Sequence, residues 1–175
     1  MKLNLYIDFD GVILDTMDVA ADIYFGGKEH PSKPPNEFYL TLDWKNLISK
    51  CHEINNSITN IAKLIDSNLF NVKILTHYVC DNEKQAKLEY LNNIYPDLEI
   101  ITVLRNINKN EAVNAKGAIL VDDYSENLEL WSKSSGIPVK FSNKNKKYDY
   151  ITINSLDSLI DIFSKLEALV KEKTC

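Results

Sequence analysis

The sequence predicts an α/β fold, a parallel β-sheet covered by helices on both faces. Three observations carry this. Short apolar runs recur along the chain, stretches with apolar residues at helical spacing lie between them, and acidic or hydroxyl residues close several of the runs. Strand and helix in alternation are the pattern of a parallel sheet, whose crossovers place helices on its faces.

Leu3–Ile7 is a short apolar run ending before Asp8 and Asp10, and reads as a buried first strand. The next apolar run of that kind is Val72–Thr76, much farther along than a simple crossover needs. Between them, Gly26-Gly27, Pro31 and Pro34-Pro35 mark a loop from about Tyr24 to Leu42. A small cap inserted over about residues 18–52 is therefore expected on a single core domain spanning residues 1–175. After it, Ile58, Ile61, Ala62 and Ile65 lie on one helical face behind Ser57, a suitable N-cap. Leu88, Leu91 and Tyr95 form the face of a helix that Pro96 stops. Leu98–Val103 reads as the third strand, Ala118–Val121, closing at Asp122-Asp123, as the fourth, and Pro138–Phe141 as the fifth. Ser125 is placed to cap a helix from Glu126 to Lys133 that Gly136 ends, and Leu156, Leu159, Ile160 and Phe163 define a C-terminal amphipathic helix.

Composition narrows the functional classes. The 175 residues are 45% hydrophobic and 26% charged, as in an ordinary globular domain. Twenty basic against 25 acidic residues leave a net charge of −5, and Arg105 is the only arginine, a poor balance for gripping a nucleic-acid polymer. Cys51, Cys80 and Cys175 form no CxxC pair and read as free thiols of a reducing compartment. The N-terminus reads as a poor signal peptide, because Asp8 and Asp10 break its apolar run, and no run is long enough to span a membrane. A cytoplasmic protein is expected. His30, His52 and His77 have no metal-ligand spacing, so zinc is not expected.

The chemistry gathers at the strand ends, where ligands of open α/β sheets bind. Asp8 and Asp10, two apart on an extended segment, share a face, and Gly11 behind them permits close backbone approach. Thr76 closes the second strand, Lys109 follows the third, and Asp122 and Asp123 close the fourth. Carboxylates this close repel unless a cation sits among them, and hard oxygen donors without Cys or His point to Mg²⁺. A carboxylate can attack phosphorus, while a hydroxyl and an ammonium suit phosphoryl oxygens.

DFDGVILDT (Asp8–Thr16), ILTH (Ile74–His77), the lysine of NINKNEAV (Asn106–Val113) and ILVDDYSENL (Ile119–Leu128) together resemble the four motifs of the haloacid dehalogenase superfamily. Within it, the first and last segments look most like the 5′(3′)-deoxyribonucleotidase branch. The resemblance implies a Rossmann-like sheet of order 3-2-1-4-5 and a Mg²⁺-dependent phosphomonoester hydrolase working through an aspartyl-phosphate. It gives Asp8 the role of nucleophile and metal ligand. Asp10 is given the general acid/base role, with its backbone carbonyl on the metal. Thr76 and Lys109 become phosphate-binding groups, with Gly11 and His77 near the substrate, and Asp122 and Asp123 serve the metal. Lys116 is the alternative motif lysine. The substrate class implied is a small phosphomonoester, with a deoxynucleoside monophosphate leading; the alternative is a phosphatase or mutase of a sugar phosphate or other small phosphometabolite.

Several of these residues also have structural readings. Asp15 reads as a residue that caps or hydrogen-bonds the loop after the first strand. Phe38, Tyr39 and Trp44 would either stack on a base or pack the cap, and packing is the commoner use. A response-regulator-like phospho-acceptor shares the acidic pair, Thr and Lys. It needs an Asp at the end of the third strand, where this chain has Thr102-Val103-Leu104-Arg105.

Overall fold

The computed structural model describes residues 2–27, 33–144 and 146–174, so that His30, Pro31 and Cys175 lie outside the described residues. The elements run β1 (Leu3–Ile7), α1 (Thr16–Phe25), α2 (Asn36–Thr41), α3 (Trp44–Ile48), α4 (Ser57–Asp66), β2 (Phe70–Tyr78), α5 (Asp81–Ile94), β3 (Glu99–Leu104), α6 (Lys109–Ala112), β4 (Ile119–Asp122), α7 (Ser125–Lys133), β5 (Ile137–Phe141), β6 (Ile151–Ile153), α8 (Ser158–Asp161) and α9 (Phe163–Thr174).

All pairings between these strands are parallel, and the order is β3-β2-β1-β4-β5-β6. The expected five-strand order is therefore present, with a sixth strand added at the β5 edge. Ile151–Ile153 is too short, and follows too polar a stretch, to show periodicity. It becomes a strand by pairing, Val139 opposite Ile151 and Phe141 opposite Ile153.

Alternation along the strands divides the core in two. Leu5 and Ile7 of β1, Val72 and Ile74 of β2, and Ile119 and Val121 of β4 join Leu64 of α4 and Leu166 of α9 in the larger cluster. Tyr6, Leu75, Val103 and Leu120 face the other way onto Leu128 and Trp131 of α7. Trp131 donates its indole N–H to the Ala118 carbonyl at 2.9 Å and meets Tyr6 edge-on at 5.5 Å, so its one polar atom is satisfied inside the core. The segment between β1 and β2 is not a detached module. Leu42, Trp44, Leu47 and Ile48 of its α3 region belong to the larger core cluster.

Local expectations are corrected in several places. Asn36–Thr41, inside the stretch read as a loop, form α2, and α7 stops at Lys133 with Ser135 rather than Gly136 in the left-handed conformation. Ser57 is the first residue of α4 rather than its cap; Asn56 precedes it in a left-handed conformation, and the Ser57 hydroxyl donates to the Ile13 carbonyl. Ser125 likewise begins α7 without capping it, and its oxygen accepts from Lys140 instead. The C-terminal helix is broken at Ile162 into α8 and α9. On α5 the buried face is Glu83, Ala86, Lys87 and Leu91, a line rotated from the expected Leu88, Leu91 and Tyr95. That line contains a charged pair, which a reading of apolar spacing assigns to solvent.

Candidate active site

β1 is flanked by β2 on one side and β4 on the other, so the crossover direction reverses at its carboxyl end and leaves a crevice there. Into it β1 delivers Asp8 and Asp10, β2 delivers Thr76 and His77, and β4 delivers Asp122 and Asp123. Lys109 arrives from the first turn of α6.

Lys109 is almost fully buried and bridges Asp8 Oδ1 and Asp122 Oδ2 at 2.8 Å each. Burial alone would depress its ammonium, but Asp122 and Asp8 outweigh that and hold it above the usual lysine value. Asp8 Oδ1 also accepts the Phe9 N–H at 2.8 Å. Burial pushes the Asp8 carboxyl up to about 8, against the pull of Lys109 and with added repulsion from Asp122 and Asp10. Asp122 is also held by the Tyr124 N–H on Oδ1 at 2.7 Å and the Asn127 side-chain amide on Oδ2 at 2.8 Å. Asp123 keeps an exposed edge, yet the protein packed around its carboxyl, with Asp122 beside it, pushes it up to about 6. Gly11 has φ +70, and a Cβ there would collide with the Asp123 carboxylate, so glycine is required twice over.

Carboxylate oxygens of Asp8, Asp122 and Asp123 all lie within 4.8 Å of one another. The donor set is all hard oxygen. Five carboxylates gather here (Asp8, Asp10, Glu83, Asp122 and Asp123), against three ammonium groups, the bridging Lys87 and Lys109 and Lys140 on the Asp123 carbonyl. When ionised they leave an excess of negative charge, and a hard divalent cation fits such a set.

Asp10 has different surroundings. Its Oδ1 accepts from the Thr16 hydroxyl at 2.7 Å, and its Oδ2 lies 2.6 Å from Lys87 Nζ. Lys87 also meets Glu83 at 2.6 Å and the His77 carbonyl at 2.8 Å. Sequence reasoning missed Lys87 and Glu83; an i,i+4 pair in a charged helix looks like surface. The available signal was its position on the same side of α5 as Ala86 and Leu91. Thr76 is fully buried, its hydroxyl 3.5 Å from Lys87 Nζ and 3.4 Å from the His77 carbonyl, both long for a hydroxyl. His77 Nε2 lies 2.9 Å from the Ile107 carbonyl, and burial keeps its imidazole below the ordinary value. Lys116 precedes β4 and so lies at the opposite edge of the sheet, away from the carboxylates. Among the described residues, Asp15 neither caps α1 with its side chain nor bonds the loop after β1; it pins the loop after α3, accepting the His52 N–H at 2.7 Å.

Two clefts flank this cluster. One of about 440 Å³ reaches Asp10 and His77, with Tyr39, Trp44 and Tyr78 as aromatic walls and Lys33 and Arg105 as cations. The other, about 320 Å³, runs over Gly11 and Asp123 toward Lys140 and Tyr148. Cys51 and Cys80 are unpaired, and burial pushes the Cys51 thiol up to about 12, far from a reactive thiolate.

Solved structures share this architecture. A HAD hydrolase, family IA, variant 3, from Entamoeba histolytica matches with a TM-score of 0.59 at 10% identity, over 98% of this chain and 100% of its own. A phosphonoacetaldehyde hydrolase-like protein from Oleispira antarctica matches at 0.63 and 13% identity, over 97% and 94%. A HAD phosphatase from Thermococcus onnurineus matches at 0.57 and 16% identity, over 93% and 97%. The fold is that of the haloacid dehalogenase hydrolases. No family model and no curated protein matches the sequence. At these identities the likeness shows the fold alone. Among the described residues no helix is long and apolar enough to cross a membrane.

Proposed function

We propose that the protein is a Mg²⁺-dependent phosphomonoester hydrolase in which Asp8 is the nucleophile. The observation that carries this is the buried Asp8–Lys109–Asp122 bridge at the carboxyl ends of β1 and β4, with Asp10 turned to the adjoining cleft. Both polar contacts on Asp8 fall on Oδ1, which leaves Oδ2 to attack phosphorus. Asp10 lines the cleft that holds the leaving group, so it protonates the departing oxygen and then takes a proton from the water that hydrolyses the aspartyl-phosphate. Lys109 balances charge on the phosphoryl oxygens, and the Thr76 hydroxyl, which has no short partner, accepts a place beneath them. Asp8, Asp122 and Asp123 would hold the Mg²⁺, with the Asp10 carbonyl, and the ion would neutralise charge on the phosphoryl group.

Hydrolysis of p-nitrophenyl phosphate should be abolished by EDTA and restored by Mg²⁺. Full activity in metal-free protein would overturn the reading.

The substrate we infer is a deoxynucleoside monophosphate. What supports it is the aromatic wall of the larger cleft. Tyr39 stacks on Trp44 with centroids 6.3 Å apart and planes 27° apart, next to the acid/base Asp10. α2 and α3, inside the segment read as the cap, supply Tyr39 and Trp44 of this wall, and β2 supplies Tyr78. An apolar pocket discriminates against an added 2′-hydroxyl by about 10² at most. Faster turnover of dUMP than of UMP supports the branch; equal rates, or faster turnover of sugar phosphates, remove it and leave the phosphatase standing.

A further inference from the structure

Lys87 has no exposed surface and is not part of the mechanism above. A lysine is buried this completely only with partners. Its ammonium has three close ones, Asp10 Oδ2 at 2.6 Å, Glu83 Oε1 at 2.6 Å and the His77 carbonyl at 2.8 Å. Glu83 in turn accepts the Val79 N–H at 2.7 Å. The result is a continuous polar chain from the loop after β2, through α5, to the loop after β1. Its last member is the carboxylate facing the cleft.

Two fixed donors from different elements, Thr16 on Oδ1 and Lys87 on Oδ2, define the plane of that carboxylate. Thr16 alone would leave rotation about its single hydrogen bond. The backbone of the loop from Asp10 to Asp15 is held by bonds such as Gly11 N–H to the Leu14 carbonyl and Ile54 N–H to the Ile13 carbonyl, but those bonds leave the turn of the Asp10 carboxylate to its side-chain partners. We propose that Lys87 is a positioning residue, whose ammonium fixes the orientation in which Asp10 exchanges a proton with the leaving oxygen. This rests on the reading of Asp10 as acid/base. A 1 Å displacement of such a group is enough to cost a large factor in rate.

Removing Lys87 alone would leave Glu83 unanswered in the interior, so the comparison is between Glu83→Gln and Glu83→Gln/Lys87→Met, both checked for folding by thermal melting. Against the single variant, the double variant should lose about 10²-fold in kcat on β-glycerophosphate, whose alkoxide needs a proton, with KM little changed. The first-turnover burst of p-nitrophenol from p-nitrophenyl phosphate should survive, because that leaving group departs without one. Adding Asp10→Asn to the double variant should cost nothing more. Equal losses on the burst and on β-glycerophosphate, or a further multiplicative loss with Asp10→Asn, would make Lys87 merely structural. A wild-type protein that shows no burst and no turnover of either ester would sink the phosphatase reading instead. In that case a crystal structure of the double variant still decides the positioning: the Asp10 carboxylate should turn away, and one still held at Thr16 in its present orientation would overturn the proposal.

Discussion

Asp8 and Asp10 stand two residues apart on one extended segment yet have opposite surroundings, and that difference assigns them different chemistry. Asp8 is buried against a lysine and a second aspartate, whereas Asp10 reaches a cleft and is held by Thr16 and Lys87. Asp8→Asn should therefore abolish both turnover and the p-nitrophenol burst, since an amide cannot attack phosphorus. Asp10→Asn should keep the burst and accumulate a phosphoenzyme, which mass spectrometry of an acid-quenched sample would locate at Asp8. An adduct on Asp10 would reverse the roles. Lys109→Ala should lower kcat/KM by about 10² or more, while Lys116→Ala, at the far edge of the sheet, should leave it unchanged. Steady-state kinetics of the two variants check this. The type and spacing of Asp8, Asp10, Asp122 and Asp123 were legible because each closes an apolar run. Lys87 was not, because nothing in its local sequence says that the charged line of α5 turns inward.

Elements show the same division. β1 to β5 were readable because burial on both faces demands continuous apolar runs. α5 was readable as a helix, but not in its orientation. The residues around Trp44 show how packing and pocket share one segment. Trp44 is 1% exposed, donates its indole N–H to the Tyr39 carbonyl at 3.0 Å and also lines the larger cleft. Trp44→Ala should destabilise the protein by about 3–5 kcal/mol, as large-to-small changes in cores do. Tyr39→Ala, at a half-buried site, should cost less stability and raise KM for the aromatic substrate. Denaturant melts alongside kinetics would separate them; a Trp44 variant of undiminished stability would mean that this side chain serves the pocket alone.

At the scale of the whole molecule, the crowding of carboxylates couples stability to pH and metal. Folded Asp8, pushed up to about 8, keeps its proton where the unfolded chain has lost it. The folded state then binds more protons than the unfolded, so this contribution is present below the ordinary aspartate value near 4 and is lost as pH rises toward 8, at about 1.4 kcal/mol per pH unit at most. His77, held low by burial, acts in the opposite sense around its ordinary value, so a single pH profile mixes the two. Asp8→Asn isolates the first. In metal-free protein, its stability relative to wild type should climb from pH 5 to pH 8. Mg²⁺ should stabilise the wild type most at pH 8, because binding displaces the Asp8 proton. A stability difference that does not change with pH would mean that folded Asp8 is ionised across this range. By itself, the sequence determined the α/β class, the central strands and the carboxylates at their ends, since strand burial and strand-end position are written in local apolar patterning. Tertiary structure alone decided that Ile151–Ile153 pairs as a sixth strand, that Lys109 rather than Lys116 meets Asp8, and that Lys87 holds Asp10. Each of these depends on contacts between residues far apart in the chain, and local periodicity carries no record of which distant side chain a buried charge will meet.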